Sequence, residues 1–375
     1  MLNKKTRCLL PFMLCLSFPA WTACGGDDPD TPMTNINLFG DLDAETQAAL
    51  PLKAVTSLTD IGLWPSDLAI YGDYAYVVDS GNNAITRIHL TDFKVEKNYI
   101  DLGADASPYA VYADAEDIYV ALQGKGTVAR ISSANPTDIA TAASDLRAPT
   151  AILTAGDALC IADSEYDYAS PQNTKGSIHV ITSQGAFTVP SSSPNPAFID
   201  TISLNGTTYL LSINAGVIDF ATQTPPAKSC IDIWQIPQNL ASAQPANSVC
   251  VSNANLGRVT TLDQMLYVGD GMTPTLYKLP LGSLLTKDAQ FTYMPILNAP
   301  KGTTTPIAIG DHLAVIDFTS DSISWAAESA PQTYYLTTPA ENPVKGPIDI
   351  VYDAARKQIL ILNSLSETID VLAIK

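Results

Sequence analysis

The stretch YVVDSGNNAITRIHL, residues 76–90, holds two short apolar runs separated by a polar turn, and its second half recurs along the chain. Apolar runs of this length bounded by Ser, Gly and Asn are the pattern of buried strands joined by a tight connection. Ungapped copies of ITRIHL lie around Val128, Ile178, Ile231, Leu276, Ile323 and Ile369, so that with Ile85 the first column is aliphatic seven times. Three residues on stand Ile88, Ile131, Ile181, Trp234, Leu279, Ala326 and Leu372. Successive first-column residues are 43, 50, 53, 45, 47 and 46 positions apart. That spacing is close to the length of a four-stranded propeller blade.

Each copy is preceded by a second apolar run (YAYVVDS, DIYVALQ, ALCIADS, TYLLSIN, MLYVGDG, HLAVIDF, QILILNS) and, before that, by a third that often opens on proline, as in PSDLAIYG and GPIDIVYD. Every unit thus supplies strands a, b and c, and linking segments such as KVEKNYIDLG supply an outer strand d. The chain stops at Lys375, directly after strand c of the seventh unit, while KAVTSLTDI at 53–61 precedes the first. Pairing that N-terminal strand with the last blade removes an open sheet edge. The sequence therefore predicts an all-β, seven-bladed β-propeller over 53–375, its N-terminal strand closing the last blade.

Tyr76, Val77, Val78 and Asp79 fall on the first four positions of a known repeat, and LYVGDGMTPTLYKL is a weaker copy. In these residues the chain resembles the YVTN-type β-propeller family, a surface-layer and NHL-like group of exported proteins. The resemblance implies a propeller and an extracytoplasmic home, and no particular activity.

Residues 1–23 carry Lys4, Lys5 and Arg7 and then a mostly apolar run from Cys8 to Ala20, too short for a permanent membrane span and suited to a signal peptide. Thr22 and Ala23 before Cys24 resemble a bacterial lipobox, with Trp21 in place of the usual aliphatic residue. Two readings of Cys24 follow: a free thiol behind an ordinary cleavage site, or a lipidated N-terminus. The second also explains the Gly-, Pro- and Asp-rich GGDDPDTPMT, which reads as a flexible tether within 24–52. Gly25 after the cysteine implies, by the lipoprotein resemblance, an outer-membrane anchor on the periplasmic or cell-surface side. With residues 1–23 removed, 17 basic residues face 38 acidic ones, a formal −21 that disfavours nucleic acid as a partner.

The three histidines, His89, His179 and His312, occupy three different repeat positions, and neither a metal-ligand spacing, a DxDxDG run nor a GxSxG elbow occurs. The reading is of no metal and no cofactor. Cys230 opens strand c of the fourth unit and Cys250 lies in its strand d, antiparallel neighbours that an oxidising compartment lets pair as a disulfide. Cys160 reads as a small buried side chain.

In a propeller the b–c and d–a loops share one face. The third and fourth units enlarge their b–c loops, through DSEYDYASPQNTKG and NAGVIDFATQTPPAK, where the first manages with DSGNN. Trp64, Tyr109, Arg147, Phe198, Arg258 and Lys301 fall near the d–a loops, and Tyr166 and Tyr168 in the enlarged b–c loop. Large aromatic and Arg side chains on loops of a rigid scaffold are the types that anchor ligands. They could form an aromatic cup with cationic points, suited to a planar or sugar-like ligand bearing an anionic group. The expectation is a non-catalytic outer-membrane lipoprotein that binds a small nutrient or glycan-like ligand, or a protein. A propeller lactonase- or lyase-type enzyme and a surface-layer scaffold remain alternatives.

Overall fold

The computed structural model describes residues 51–165, 176–217, 224–235, 245–273, 275–295, 304–318, 320–326, 332–335 and 345–375. They form seven four-stranded antiparallel sheets. Blades 1 to 6 each pair four consecutive strands in the order a-b-c-d, and blade 7 takes its outer strand from the N-terminus. That strand, Leu52–Leu58, runs antiparallel to strand c of blade 7, Thr368–Ile374, from Leu52 opposite Ile374 to Leu58 opposite Ile369. Strand pairing starts at Leu52, one residue before the 53–375 bound expected from the pattern, and Leu52 is buried against Ile359, Ile361 and Leu372. The amide of Lys375 donates to the Pro51 carbonyl at 2.9 Å, so the two ends of the domain meet on one edge.

The first repeat column is buried in every blade. Ile85, Val128, Ile178, Ile231, Leu276, Ile323 and Ile369 are all 0% exposed. They join clusters that lie between consecutive blades: Ile85 with Val111 and Val120 of blade 2, for example, and Ile231 with Leu256 and Val268 of blade 5. The seam is built the same way, with Leu58, Leu68 and Val77 packed on Leu360, Leu362 and Val371. An aliphatic residue is required at these positions because the side chain meets two sheet faces and no water. Blade stacking therefore supplies the core.

Several carboxylates at the ends of strands b and on strands c hold loops and neighbouring strands. Asp79, the fourth residue of YVVD, accepts the amides of Leu63 (2.9 Å) and Asn82 (3.2 Å) through Oδ1. Gly62 beside it has φ +129°, and a Cβ there would lie 2.4 Å from Asp79 Cγ, so both conformation and space demand glycine. Asp163 does the same in blade 3, accepting Arg147 N, Ala148 N and Glu165 N at 2.8–3.0 Å. Where strand b ends on Asn instead, the partner on strand c is the acid: Asn214 donates to Asp232 (2.8 Å) and Asn363 to Asp370 (3.0 Å).

Candidate functional site at the channel mouth

The b–c turns and the segments that lead into strands a are laced together. Gly81 N donates to Leu63 O, Ser164 N to Ala148 O, Ala215 N to Asn195 O, Gly271 N to Asn255 O and Ser364 N to Gly346 O, all at 2.6–3.1 Å. These two sets of loops accordingly form one face. Five of its b–c loops have four residues between their strands, whereas Asp163 and Ser177 are separated by 13 and Asn214 and Ser229 by 14. The two long loops belong to neighbouring blades 3 and 4.

The a strands line the central channel, each packed on the next, with blade 7 returning to blade 1. In six of the seven the register slips just after the first residue, at Pro65/Leu68, Pro108/Ala110, Pro149/Ala151, Pro196/Phe198, Leu256/Val259 and Pro347/Asp349. A bulge there re-aims side chains at the channel mouth. Counting from the strand start, the third position holds Asp67, Ala110, Ala151, Phe198, Arg258 and Asp349 in blades 1, 2, 3, 4, 5 and 7.

Three of these residues meet. Arg258, on strand a of blade 5 (Leu256–Leu262), places Nη2 2.5 Å from Asp67 Oδ1 on blade 1 (Pro65–Tyr71) and 3.2 Å from Asp349 Oδ2 on blade 7 (Pro347–Asp353). Blade 5 is not adjacent to blade 1 or blade 7 in the ring, so the guanidinium bridges the axis. The Phe198 ring lies 5.3 Å from the guanidinium carbon. Each carboxylate is also held by its neighbour strand: Asp67 Oδ2 accepts Val111 N at 2.8 Å and Asp349 Oδ2 accepts Leu68 N at 3.2 Å. Asp200, two residues beyond Phe198, completes the group.

Burial sets the protonation pattern. It pushes the Asp200 carboxyl up to about 6, against the opposing pull of the Thr201 amide and of Arg258. Asp349 is raised likewise, by burial first, with Arg258 working the other way and Asp67 adding to the rise. Burial works against the Arg258 charge, but Asp349 and Asp67 outweigh it and hold the guanidinium protonated. Burial thus favours the protonated form of both Asp200 and Asp349.

Of the residues singled out in the sequence, the structure brings Phe198 and Arg258 together. Trp64 sits before strand a of blade 1 with its amide 3.3 Å from Glu367 Oε1. Tyr109 is exposed on strand a of blade 2, its carbonyl accepting Ser66 Oγ at 2.8 Å. The Arg147 side chain is exposed and its amide serves Asp163. Tyr166, Tyr168, Lys301 and Cys24 lie outside the described residues. Asp67, Asp200 and Asp349 escaped the sequence reading, although Asp67 and Asp349 share an alignment column with Phe198 and Arg258. Lining up PSD, PAF, LGR and PID would have exposed a charged column facing the axis.

The histidines stay apart. His89 pairs with Asp92 (2.6 Å), His312 with Asp311 (2.6 Å) while stacking on Trp325, and His179 lies among Ser177, Thr188 and Asp163. Among the described residues no group of three or more His, Cys, Asp or Glu is arranged to hold a metal ion. Cys230 and Cys250 face each other across strands c and d of blade 4 and are joined by a disulfide, while Cys160 is buried and its thiol is pushed up to about 12 by burial. A cavity of about 380 Å³ lies among the a–b turns of blades 2 and 3, on the face opposite the b–c loops. Its Arg130 and Asp117 are paired with each other at 2.7 Å.

No protein-family model matches the chain, and no curated protein does. The fold has solved counterparts. The chain is similar to virginiamycin B lyase from Staphylococcus aureus, with TM-score 0.59 and 13% identity over 86% of this chain and 100% of that one. It is similar also to a streptogramin B lyase structure, with TM-score 0.59 and 12% identity over 86% of this chain and 97% of that one. A chain of the mitotic checkpoint complex gives TM-score 0.62 and 11% identity over 95% of this chain and 99% of that one. At such identities the likeness concerns fold alone, and these neighbours include an enzyme and a complex component. The chain is a seven-bladed β-propeller.

Proposed function

We propose that this propeller is an exported, YVTN-type lipoprotein, anchored at the outer membrane through Cys24, that binds a small glycan-like or nutrient ligand without transforming it. The observation that carries the reading is the asymmetry of the loop face: the 13- and 14-residue b–c loops stand side by side on blades 3 and 4, against four residues elsewhere. Loops enlarged on a rigid scaffold at adjacent positions build a recognition wall. Phe198, in the blade 4 a strand, adds a partly buried apolar ring at the channel mouth. The Arg258 charge is spent on Asp67 and Asp349, which supports recognition of a neutral, hydroxyl-rich ligand over an anionic one.

A lyase- or lactonase-type reaction is the second reading, favoured by the proton-retaining Asp200 and Asp349 beside Arg258. A related solved structure is a catalytically inactive histidine-to-alanine variant of virginiamycin B lyase with quinupristin. In this chain His89, His179 and His312 pair with residues away from the Arg258 cluster. The test is retention on a glycan array by the full mature protein, parent against Phe198→Ala, with release of ring-opened product from a panel of cyclic esters measured alongside. Retention lost in the variant with no product formed supports binding; product formed by the parent and abolished in Asp200→Asn would replace it with the second reading.

A further inference from the structure

A lysine is sealed inside blade 7. Lys345, just before strand a, is 1% exposed, and its Nζ lies 2.6 Å from Oδ2 of Asp370 on strand c, itself 0% exposed. Asn363, the last residue of strand b, donates Nδ2 to the same oxygen at 3.0 Å. Asp370 Oδ1 and Asn363 Oδ1 are buried with no hydrogen-bond partner. The equivalent acid of blade 4 differs. Asp232 is served by Ser192 N (2.8 Å), Ser192 Oγ, Asn214 Nδ2 (2.8 Å) and Ser248 Oγ (2.6 Å), without a lysine. A buried ion pair is tolerable when its remaining donors and acceptors are satisfied, and this one leaves a carboxylate oxygen orphaned.

We propose that Lys345 and Asp370 condense to an intramolecular isopeptide bond. The reacting carbon, Asp370 Cγ, is one C–O bond beyond Oδ2, which puts it about 3–3.5 Å from Nζ, in the range of a near-attack geometry. The ammonium gives up a proton, the amine attacks Cγ, and the unpartnered Oδ1 departs as water with two of the three ammonium protons. Oδ2 remains as the amide carbonyl, still within reach of Asn363 Nδ2. One C–N bond forms, one C–O bond breaks, and nothing is oxidised or reduced. A second acid, Asp321, borders the pair, its Oδ1 accepting Lys345 N (3.1 Å) and Gly346 N (2.8 Å). Burial raises its pKa, and the charges of Lys345 and Asp370 both act on it.

Condensation removes two charges from a dry site, which offsets the ordinary cost of making an amide. The bond joins the start of blade 7 to strand c, the strand to which the N-terminal strand is zipped. A covalent clasp there fastens the only blade assembled from both ends of the chain.

The experiment is the intact mass of the full mature protein after reduction and alkylation, with a tryptic map. The expected mass is lower than that of the unmodified chain by one water, about 18 Da. The peptides containing Lys345 and Asp370 are expected to run as one linked species, without cleavage after Lys345. Lys345→Arg is expected to restore the full mass. A parent of unmodified mass, or a deficit that persists in Lys345→Arg, would overturn the proposal; the parent measurement decides even if the variant does not fold.

Discussion

Arg258 of blade 5 is bonded to Asp67 of blade 1 across the axis of the ring, Nη2 to Oδ1 at 2.5 Å, and the same nitrogen reaches Asp349 of blade 7 at 3.2 Å. One guanidinium thereby ties three blades at the channel mouth. Replacing it with the apolar, similarly long Met leaves two buried carboxylates without a counter-charge. Arg258→Met is expected to lose about 3 kcal/mol at neutral pH, at the low end for a broken buried pair because Arg258 is partly open to the channel. The loss should shrink in acid, where the carboxyls take up protons, and in the triple variant with Asp67→Asn and Asp349→Asn. Urea titrations at two pH values measure both; equal losses at both would mean the pair contributes packing and not charge.

Asp200 predicts the opposite sign. Its folded pKa, about 6, exceeds the ordinary value, so the folded state holds the proton more tightly than the unfolded chain. The stabilisation is complete below about pH 4 and is lost as pH rises through 6. Asp200→Asn avoids the loss. It should be more stable than the parent by about 1–2 kcal/mol at pH 7.5, with the advantage fading toward pH 4. Thermal melts across that range suffice, and a variant less stable at every pH would show that Asp200 is needed as an acceptor.

The Cys230–Cys250 link closes 20 residues of blade 4. Constraint of a loop that size is worth roughly 3 kcal/mol on the unfolded chain. Reduction, or Cys230→Ser with Cys250→Ser, should lower the urea midpoint accordingly. Alkylation of both cysteines on unfolding without reductant would show that the bridge is absent from the isolated protein.

Cys24→Ala should release the protein from membrane fractions or leave residues 1–23 attached. A variant that fractionates and migrates like the parent would remove the lipid anchor and, with it, the outer-membrane location.

Blade number and closure were legible because they rest on repetition: an aliphatic residue at Ile85 and its six counterparts is enforced by contact with two sheets, and six blades take four consecutive strands while the seventh is completed by the N-terminal strand. The channel cluster was half legible. Phe198 and Arg258 stand out by type, but Asp67 and Asp349 look like any of the 38 acidic residues until the bulge after each strand start brings distant blades to one point. Asp79, the last residue of the recognisable YVVD, holds the backbone amides of Leu63 and Asn82. The Lys345–Asp370 contact spans 25 positions and leaves no local pattern, because blade interiors are set by register and not by neighbours in sequence.

The central claim is that the face bearing the long b–c loops of blades 3 and 4 binds a ligand. Deleting most of residues 166–175, which keeps Ser164 and Glu165 on Ala148 and Asp163, should leave the melting temperature nearly unchanged, since shortening a connection costs little through closure entropy. The measurement is glycan-array retention by the full mature protein, parent against this shortened variant, with thermal melts in parallel. The account predicts a hit for the parent that falls at least tenfold in the variant at equal stability; undiminished retention at equal stability would contradict it.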